Sequence, residues 1–326
     1  MFSSSSISLN TKESGSGRPR EVPNLTEEKA VLPFFLRNAP VRGRFIRLGD
    51  LGNALLSRHK EADSAALFLM GKMAALTAGL ATALKFEGNF TVQTKGDGLL
   101  SMMASDCSSE GALRVTLQKN EENKETPSKD AEAGKLLGSG YLAFTVQEKH
   151  APQPQQGIVK MEGSETETLA HLAERYFKDS AQYPCHILLF SDLIEGKYQS
   201  AALILERLPD ESQIRAVKDS SLSGDKIKDL WETACTLADT LKQDEALNAT
   251  VPSEEIVYRL FGSLEVMASD FRSLSFGCRC TRQKIENMLK GFQGEEQKEL
   301  IHEGKIEVDC HFCNIRFSFL PEEIIP

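Results

Sequence analysis

Apolar positions recur in two rhythms along this chain, and the rhythms divide it into strands and helices. Val41-Arg42-Gly43-Arg44-Phe45-Ile46-Arg47-Leu48 alternates closely enough to predict a strand that opens the core. Asp63 is placed to cap a long helix from Ser64 to about Lys85, ended by Gly88. Leu67, Phe68, Leu69, Met70, Met73, Leu76 and Leu80 give that helix so broad an apolar surface that it should be buried on most sides, its methionines filling gaps in the core. Phe90–Thr94, Leu99–Ala104, Ala112–Gln118, Tyr141–Val146, Ile158–Met161, Ile187–Phe190 and Ala201–Leu205 read as strands, punctuated by glycines. Between them lie a charged loop, Lys119–Lys135, and one helix, Glu165–Lys178, with Leu169, Leu172, Ala173 and Phe177 on one face. So many successive strands with so few helices predict an α+β core and not a doubly wound sheet.

From about Leu222 the rhythm is helical. Ile227, Leu230, Trp231, Ala234, Ala238 and Leu241 form a stripe at spacings of three and four, and Glu254–Phe261 forms a shorter helix after Pro252. Periodicity permits two readings, a pair of helices packed on the core or a movable amphipathic segment leading to the C-terminus. Near the end, Ile285, Met288, Leu289 and Phe292 share a helical face after a Thr281 cap. The alternating runs Ile306–Val308 and Ile315–Phe319 predict a hairpin.

Composition narrows the class. With 40% hydrophobic and 26% charged residues in 326, the chain is that of a soluble globular protein long enough for two or three folded units. A net charge of −9 is the wrong sign for a general nucleic-acid binder, which needs a basic footprint to release phosphate counterions. No apolar run reads as long enough to span a membrane, and the serine-rich start lacks the basic and apolar regions of a secretion signal. A reducing cytoplasm is the expected setting. Residues 1 to about 24 are too rich in serine, glycine and charge to order themselves. Gly138-Ser139-Gly140 lacks the third glycine and following helix of a dinucleotide fingerprint, so it reads as a turn.

The chemistry sits at the C-terminus. Four of the seven cysteines form a CxC, Cys278 and Cys280, and a CxxC, Cys310 and Cys313; Cys107, Cys185 and Cys235 stand alone. Two close pairs in a chain without a secretion signal point to zinc before a structural disulfide. Four thiolates complete a tetrahedral shell, which makes a closed structural site with no place for a substrate water. His302 and His311 are rival ligands, read as surface groups or neighbours of the shell. Arg279, Arg282 and Lys284 either favour thiolate at the first pair or are an ordinary solvated helix start. A unit this poor in apolar residues depends on its metal to fold, and an oxidant that closes either pair into a disulfide removes ligands and fold together.

These residues resemble the redox-regulated heat-shock holdase family, the 33 kDa bacterial chaperonin. The likeness lies in Phe276 ahead of the first pair and in Ile306-Glu307-Val308-Asp309-Cys310-His311-Phe312-Cys313. It continues upstream in Tyr258-Arg259-Leu260-Phe261, Leu208-Pro209, Tyr176-Phe177-Lys178-Asp179-Ser180 with Gln182 and Pro184, Gly138–Leu142 and Val41-Arg42-Gly43, so that it covers roughly residues 32 to 320. The resemblance implies an ATP-independent chaperone, inactive while reduced with one zinc on Cys278, Cys280, Cys310 and Cys313. Oxidation in such proteins forms the disulfides Cys278–Cys280 and Cys310–Cys313, zinc leaves, the C-terminal unit and adjoining linker unfold, and unfolding client proteins bind. Active members dimerise. The stripe from Ile227 to Leu241 falls in the expected linker, which favours the movable reading and makes it a candidate client surface. The implied organisation is a flexible tail, 1–30, an α+β core, 31–221, a helical linker, 222–270, and a zinc-binding redox-switch domain, 271–326. The chain departs from the family's usual residues at Ala181, where glutamate is usual, at Cys185, where threonine is usual, and at Thr281-Arg282-Gln283-Lys284.

Two other classes bear weighing. A zinc-ribbon module for nucleic acid or the translation machinery is disfavoured by seven Lys and Arg against nine Asp and Glu from Cys278 onward. A thiol oxidoreductase needs its CxxC to open a helix, whereas strands flank this one. No catalytic residues are expected, and neither nucleic acid nor membrane is expected as a partner.

Overall fold

The computed structural model describes residues 19–208, 224–292 and 295–325. The expected tail up to residue 18 and residues 209–223, which include the expected start of the linker, lie outside that description. The chain forms two compact units, Leu25–Gly277 and Cys278–Pro326 together with the residues that precede Leu25.

The larger unit runs β1 (Thr26–Leu36), β2 (Val41–Arg47), α1 (Gly49–Leu56), α2 (Ser64–Ala81), β3 (Gly88–Gly96), β4 (Leu100–Ser108), β5 (Ala112–Lys119), α3 (Ala133–Leu137), β6 (Ser139–Glu148), β7 (Gln155–Glu162), α4 (Leu169–Asp179), β8 (Cys185–Ile194), β9 (Lys197–Arg207), α5 (Gly224–Ala238), α6 (Gln243–Leu247), α7 (Ser253–Phe261), β10 (Val266–Ala268) and β11 (Arg272–Phe276). One sheet takes all eleven strands in the order β7-β6-β3-β4-β5-β11-β1-β2-β9-β8, with β10 beside β1. Every pairing is antiparallel except β5 with β11. The fold is α+β, as the strand-rich pattern predicted.

Helix α2 is the axis of this unit. Every residue except Ser64 and Lys72 is buried, and the helix packs on β8, β9 and β2 from one end of the sheet and on β3, β4 and β5 from the other. A sheet that contacts one helix from both of its ends must curl around it. Gly71 and Gly79 allow the close approach, since a Cβ would collide with Ser191 and Ser200 at the first and with Ile46 and Ile204 at the second. By length and composition α2 could cross a membrane, which corrects the expectation that no apolar run comes near that length. Polar interruptions at Lys72 and Thr77 hid it. It is 89% buried inside the protein, as the core helix of a globular unit is.

Helix α4 closes the curl. Thr168 caps it by accepting a hydrogen bond from the His171 N–H at 3.1 Å, and the helix touches both β7 and β8, the outermost strands of the sheet. Edge strands left bare invite pairing with other chains, and this helix lies against both.

The face of the sheet turned away from α2 is covered as well. Leu32, Phe34, Phe45, Leu203 and Leu205 pack there against Ala234, Ala238, Leu241, Ile256 and Phe261. Phe34 stacks on Phe261 with centroids 5.4 Å apart, and Arg47 of β2 donates to the carbonyls of Ala246 and Val251 at 3.1 and 2.7 Å. Helices α5, α6 and α7 are therefore docked on the sheet.

Several elements differ from expectation. Strand β1 includes residues 26–30, which the implied organisation places in the tail, and it runs through Pro33. Its neighbour changes at that point. β11 pairs β1 at Thr26, Glu27 and Val31, and β10 takes over at Phe34, so Pro33 sits where no ladder N–H is required. Helix α1 and strands β10 and β11 are too short to show a period. Strand β11 belongs to the large sheet, and the second compact unit begins at Cys278. Helix α2 ends at Ala81, ahead of the expected Lys85, and β3 starts at Gly88.

Candidate metal centre

The smaller unit holds α8 (Arg282–Leu289), α9 (Glu295–Glu299), the hairpin β12 (Ile306–Asp309) and β13 (Arg316–Phe319), and α10 (Pro321–Ile324). Thr281 caps α8 as predicted, accepting from the Lys284 N–H at 3.2 Å. Of the face expected on α8 only Leu289 is buried; Met288 and Phe292 are 49% and 38% exposed. The hairpin brings its tip together through Cys310 N–H to the Ile315 carbonyl and Asn314 N–H to the Cys310 carbonyl. Asn314 takes the left-handed conformation that turns the chain, with φ 51°.

That turn and the segment before α8 deliver the four predicted thiols to one point. Sγ of Cys278 lies 3.4 Å from that of Cys280 and 3.6 Å from that of Cys310, and Sγ of Cys280 lies 3.4 Å from that of Cys313. All four sulfurs are within 4.8 Å of one another. Cys278 and Cys313 are 4% and 0% exposed, and Cys280 and Cys310 9% each. With Zn–S bonds of about 2.3 Å, a tetrahedral site separates its sulfurs by about 3.8 Å. The spacing fits a zinc site of four cysteine ligands and lies well beyond the roughly 2.05 Å of a disulfide.

Electrostatics favours a cation in the same place. Hydrogen bonds shared with neighbouring thiols hold the Cys310 thiol far below its ordinary range, and the one shared with Cys280 brings Cys278 down to about 7. Those bonds, with Cys278 the largest influence, push Cys280 and Cys313 upward. Four packed thiols cannot all become thiolates by themselves. A divalent metal removes that conflict by drawing all four sulfurs to one positive charge. His302 and His311 are exposed and, among the described residues, belong to no such cluster. Cys107 and Cys185 are buried singly and Cys235 is half-buried; burial raises the last two, Cys235 to about 12, which leaves them unreactive.

The basic residues beside the first pair serve the fold. Arg282 sits over the Phe319 ring at 4.2 Å, donates to the Ser318 carbonyl at 2.9 Å and pairs with Glu323 at 2.8 Å, tying α8 to β13 and α10. Lys284 reaches back to the Arg279 carbonyl at 3.0 Å. Arg316 grips Asp309 across the hairpin with two bonds of 2.8 Å, holding its carboxyl below the usual range. Sequence reasoning missed both arginine clamps. The signal for Arg316 was opposite charge at hairpin spacing, whereas Arg282 and Glu323 lie 41 residues apart and carry no local signal.

The stripe residues are at the docked face of α5. Ala234, Ala238 and Leu241 are buried in the cluster, Leu230 and Trp231 pack against it, and Ile227 is half-buried nearer the start of the helix.

Comparison with known proteins agrees with the geometry. A family model described as Hsp33 protein matches residues 30–320. The 33 kDa chaperonin of Caulobacter vibrioides is 32% identical over 301 residues, covering 90% of this chain and 95% of its own. That of Proteus mirabilis is 26% identical, covering 92% and 96%. The crystal structure of the Hsp33 homologue from Thermotoga maritima superimposes with a TM-score of 0.70 at 19% identity, covering 91% and 97%. A match that spans the curled sheet, the docked helices and the four clustered cysteines together leaves one assignment: the chain belongs to the Hsp33 family of chaperones.

Proposed function

We propose that this chain is a redox-regulated, ATP-independent holdase of the cytoplasm, inactive when reduced with one zinc on Cys278, Cys280, Cys310 and Cys313. The observation that carries the reading is the convergence of two local cysteine pairs on one buried point. Those thiolates serve as ligands and as reductants. Each pair gives two electrons to a hydroperoxide, whose O–O bond breaks to water as an S–S bond forms. Two such steps consume all four ligands, four protons and two peroxides, and free the metal. The small unit then loses what folds it. The helices from residue 224 act as a linker that leaves the sheet, uncovering apolar surface for unfolding clients, and the active form is a homodimer.

The test is to expose the reduced, zinc-loaded protein to hydrogen peroxide with mild heat. One zinc per chain should appear in solution, and aggregation of a heat-unfolded client should stop. Zinc release with unchecked aggregation would sink the proposal. Disulfide mapping adds a finer check. Cys278 has Cys280 and Cys310 at nearly equal distance, and the proposal requires Cys278–Cys280 and Cys310–Cys313.

A pH effect on the linker should accompany this. His186 Nε2 meets Asp239, just beyond α5, at 2.8 Å, and Nδ1 meets Glu174 of α4 at 3.2 Å. The hydrogen bond to Glu174 chiefly, with the contact to Asp239, raises its pKa against the opposing effect of burial. A raised pKa means the imidazolium stabilises the folded state fully below about pH 6.5, its ordinary value. That stability disappears as pH rises through the folded value. Trp231, the single tryptophan, packs against the cluster that α5 covers and reports on its docking. Its emission should shift at a higher urea concentration at pH 6 than at pH 8.5, and His186→Gln should abolish the difference. An unchanged difference in the variant would assign the effect elsewhere.

A further inference from the structure

A cleft of about 360 Å³ opens in the larger unit beside helix α4. Its walls are aromatic. Phe144 lies 4.6 Å from Tyr176 and 6.1 Å from Phe177 between ring centroids, and Tyr183 lies 5.3 Å from Phe177. The Tyr176 ring lies over Gly157, where any Cβ would collide with it.

The polar end of the cleft is built around Glu206, 2% exposed. Its carboxylate accepts from Arg42 Nε at 2.8 Å, from the Arg44 guanidinium, and from the Tyr183 hydroxyl at 3.2 Å. Two guanidiniums on one carboxylate leave a positive charge over. Among the described residues nothing adjacent cancels it. Burial raises Tyr183 and Cys185, so both stay neutral, and Glu174 is engaged by His186 and by the Ile187 N–H. Arg44 is buried behind the site, whereas Arg42 lines the cleft with its side chain 43% exposed. Among the described residues the two terminal nitrogens of Arg42 hold no hydrogen bond. Ala181 also lines the cleft. Its methyl group brings no charge to the cleft, and among the described residues Glu206 is the one acid paired with Arg42.

We propose that this cleft binds a small amphipathic carboxylate, its apolar ring or chain against Phe144, Tyr176 and Phe177 and its carboxylate on the free fork of Arg42. Its volume is that of a small-molecule site, and paired guanidinium nitrogens match a carboxylate's two oxygens. None of Cys278, Cys280, Cys310 and Cys313 lines the cleft.

The probe is 2-naphthoate, titrated calorimetrically into the reduced, zinc-loaded full chain. Binding should be one to one, and the neutral 2-naphthalenemethanol should bind at least about tenfold more weakly, the loss of a charge-assisted pair. Ala181→Glu, which sets an acid in the lining of the same cleft, should weaken naphthoate by a similar factor. If that variant does not melt cooperatively near the parent temperature, Leu84→Trp carries the same expectation, since Leu84 lines the cleft and is 41% exposed. No binding at millimolar naphthoate, equal binding of acid and alcohol, or full affinity in a folded cleft variant would each overturn the proposal.

Discussion

Cys313→Ser should unfold the small unit while leaving the sheet domain intact. Cys313 is fully buried at the centre of the cluster, 3.4 Å from Cys280, and a serine hydroxyl in its place stays protonated and binds zinc poorly. The rest of the unit has little to fold with. Among its described residues, Val22, Leu289, Ile306, Phe317, Phe319 and Ile324 are the buried apolar side chains besides the cysteines, about 1.5–3 kcal/mol each, against the nearly fifty residues from Cys278 onward that must be ordered. A structural zinc contributes on the order of 10–16 kcal/mol in comparable small sites, more than those side chains and the arginine clamps can replace. The variant should purify with almost no zinc. Amide resonances from 278–325 should collapse into the random-coil region, while those of β3–β6 keep their dispersion. A strong chelator on the parent protein should reproduce the spectrum. Dispersed resonances for Ile306–Phe319 in zinc-free protein would show that the hairpin folds without its metal.

The metal centre was the most legible part of the chain because its information is local. Two short cysteine motifs, a threonine cap and an alternating hairpin can each be read within a few residues, and the fold had only to bring them together. Helix α2 was legible for a similar reason, since an unbroken apolar surface leaves one environment open to it. Strand ends were harder. Phe90–Thr94 grew into Gly88–Gly96 because pairing with β4 and β6 carries the ladder through polar positions such as Asn89 and Lys95. Strand β1 was invisible because its acceptance of Pro33 depends on the junction between two partners more than 200 residues away. The stripe on α5 showed that a face exists and could not show what covers it. The Arg42–Glu206 pair spans 164 residues, and no local pattern announces it.

That unread partner of the stripe is where regulation should be most open to change. Ala238→Asp should make the reduced, zinc-loaded protein an active holdase without any oxidant. Ala238 is fully buried on α5, packed in the cluster that contains Phe34, Phe45 and Phe261. An aspartate there loses about half a kcal/mol of helix propensity, a minor effect. The larger one is a carboxylate in an apolar contact with no partner, which costs several kcal/mol unless it reaches water. Lifting the helix off the sheet gives it water, and the strands beneath, held by their own ladders and by α2, keep their order. Leu32, Phe34, Phe45 and Leu203 then lie uncovered as one apolar patch, the surface an unfolding chain can bind. Trp231 emission should move to the red, a hydrophobic dye should bind, and client aggregation should fall in reducing buffer with zinc still bound. Thr236→Asp, on the exposed side of the same helix, should change none of these. If Ala238→Asp releases Trp231 and the client still aggregates, the linker does not cover the client surface, and that surface must be sought on the unfolded zinc unit.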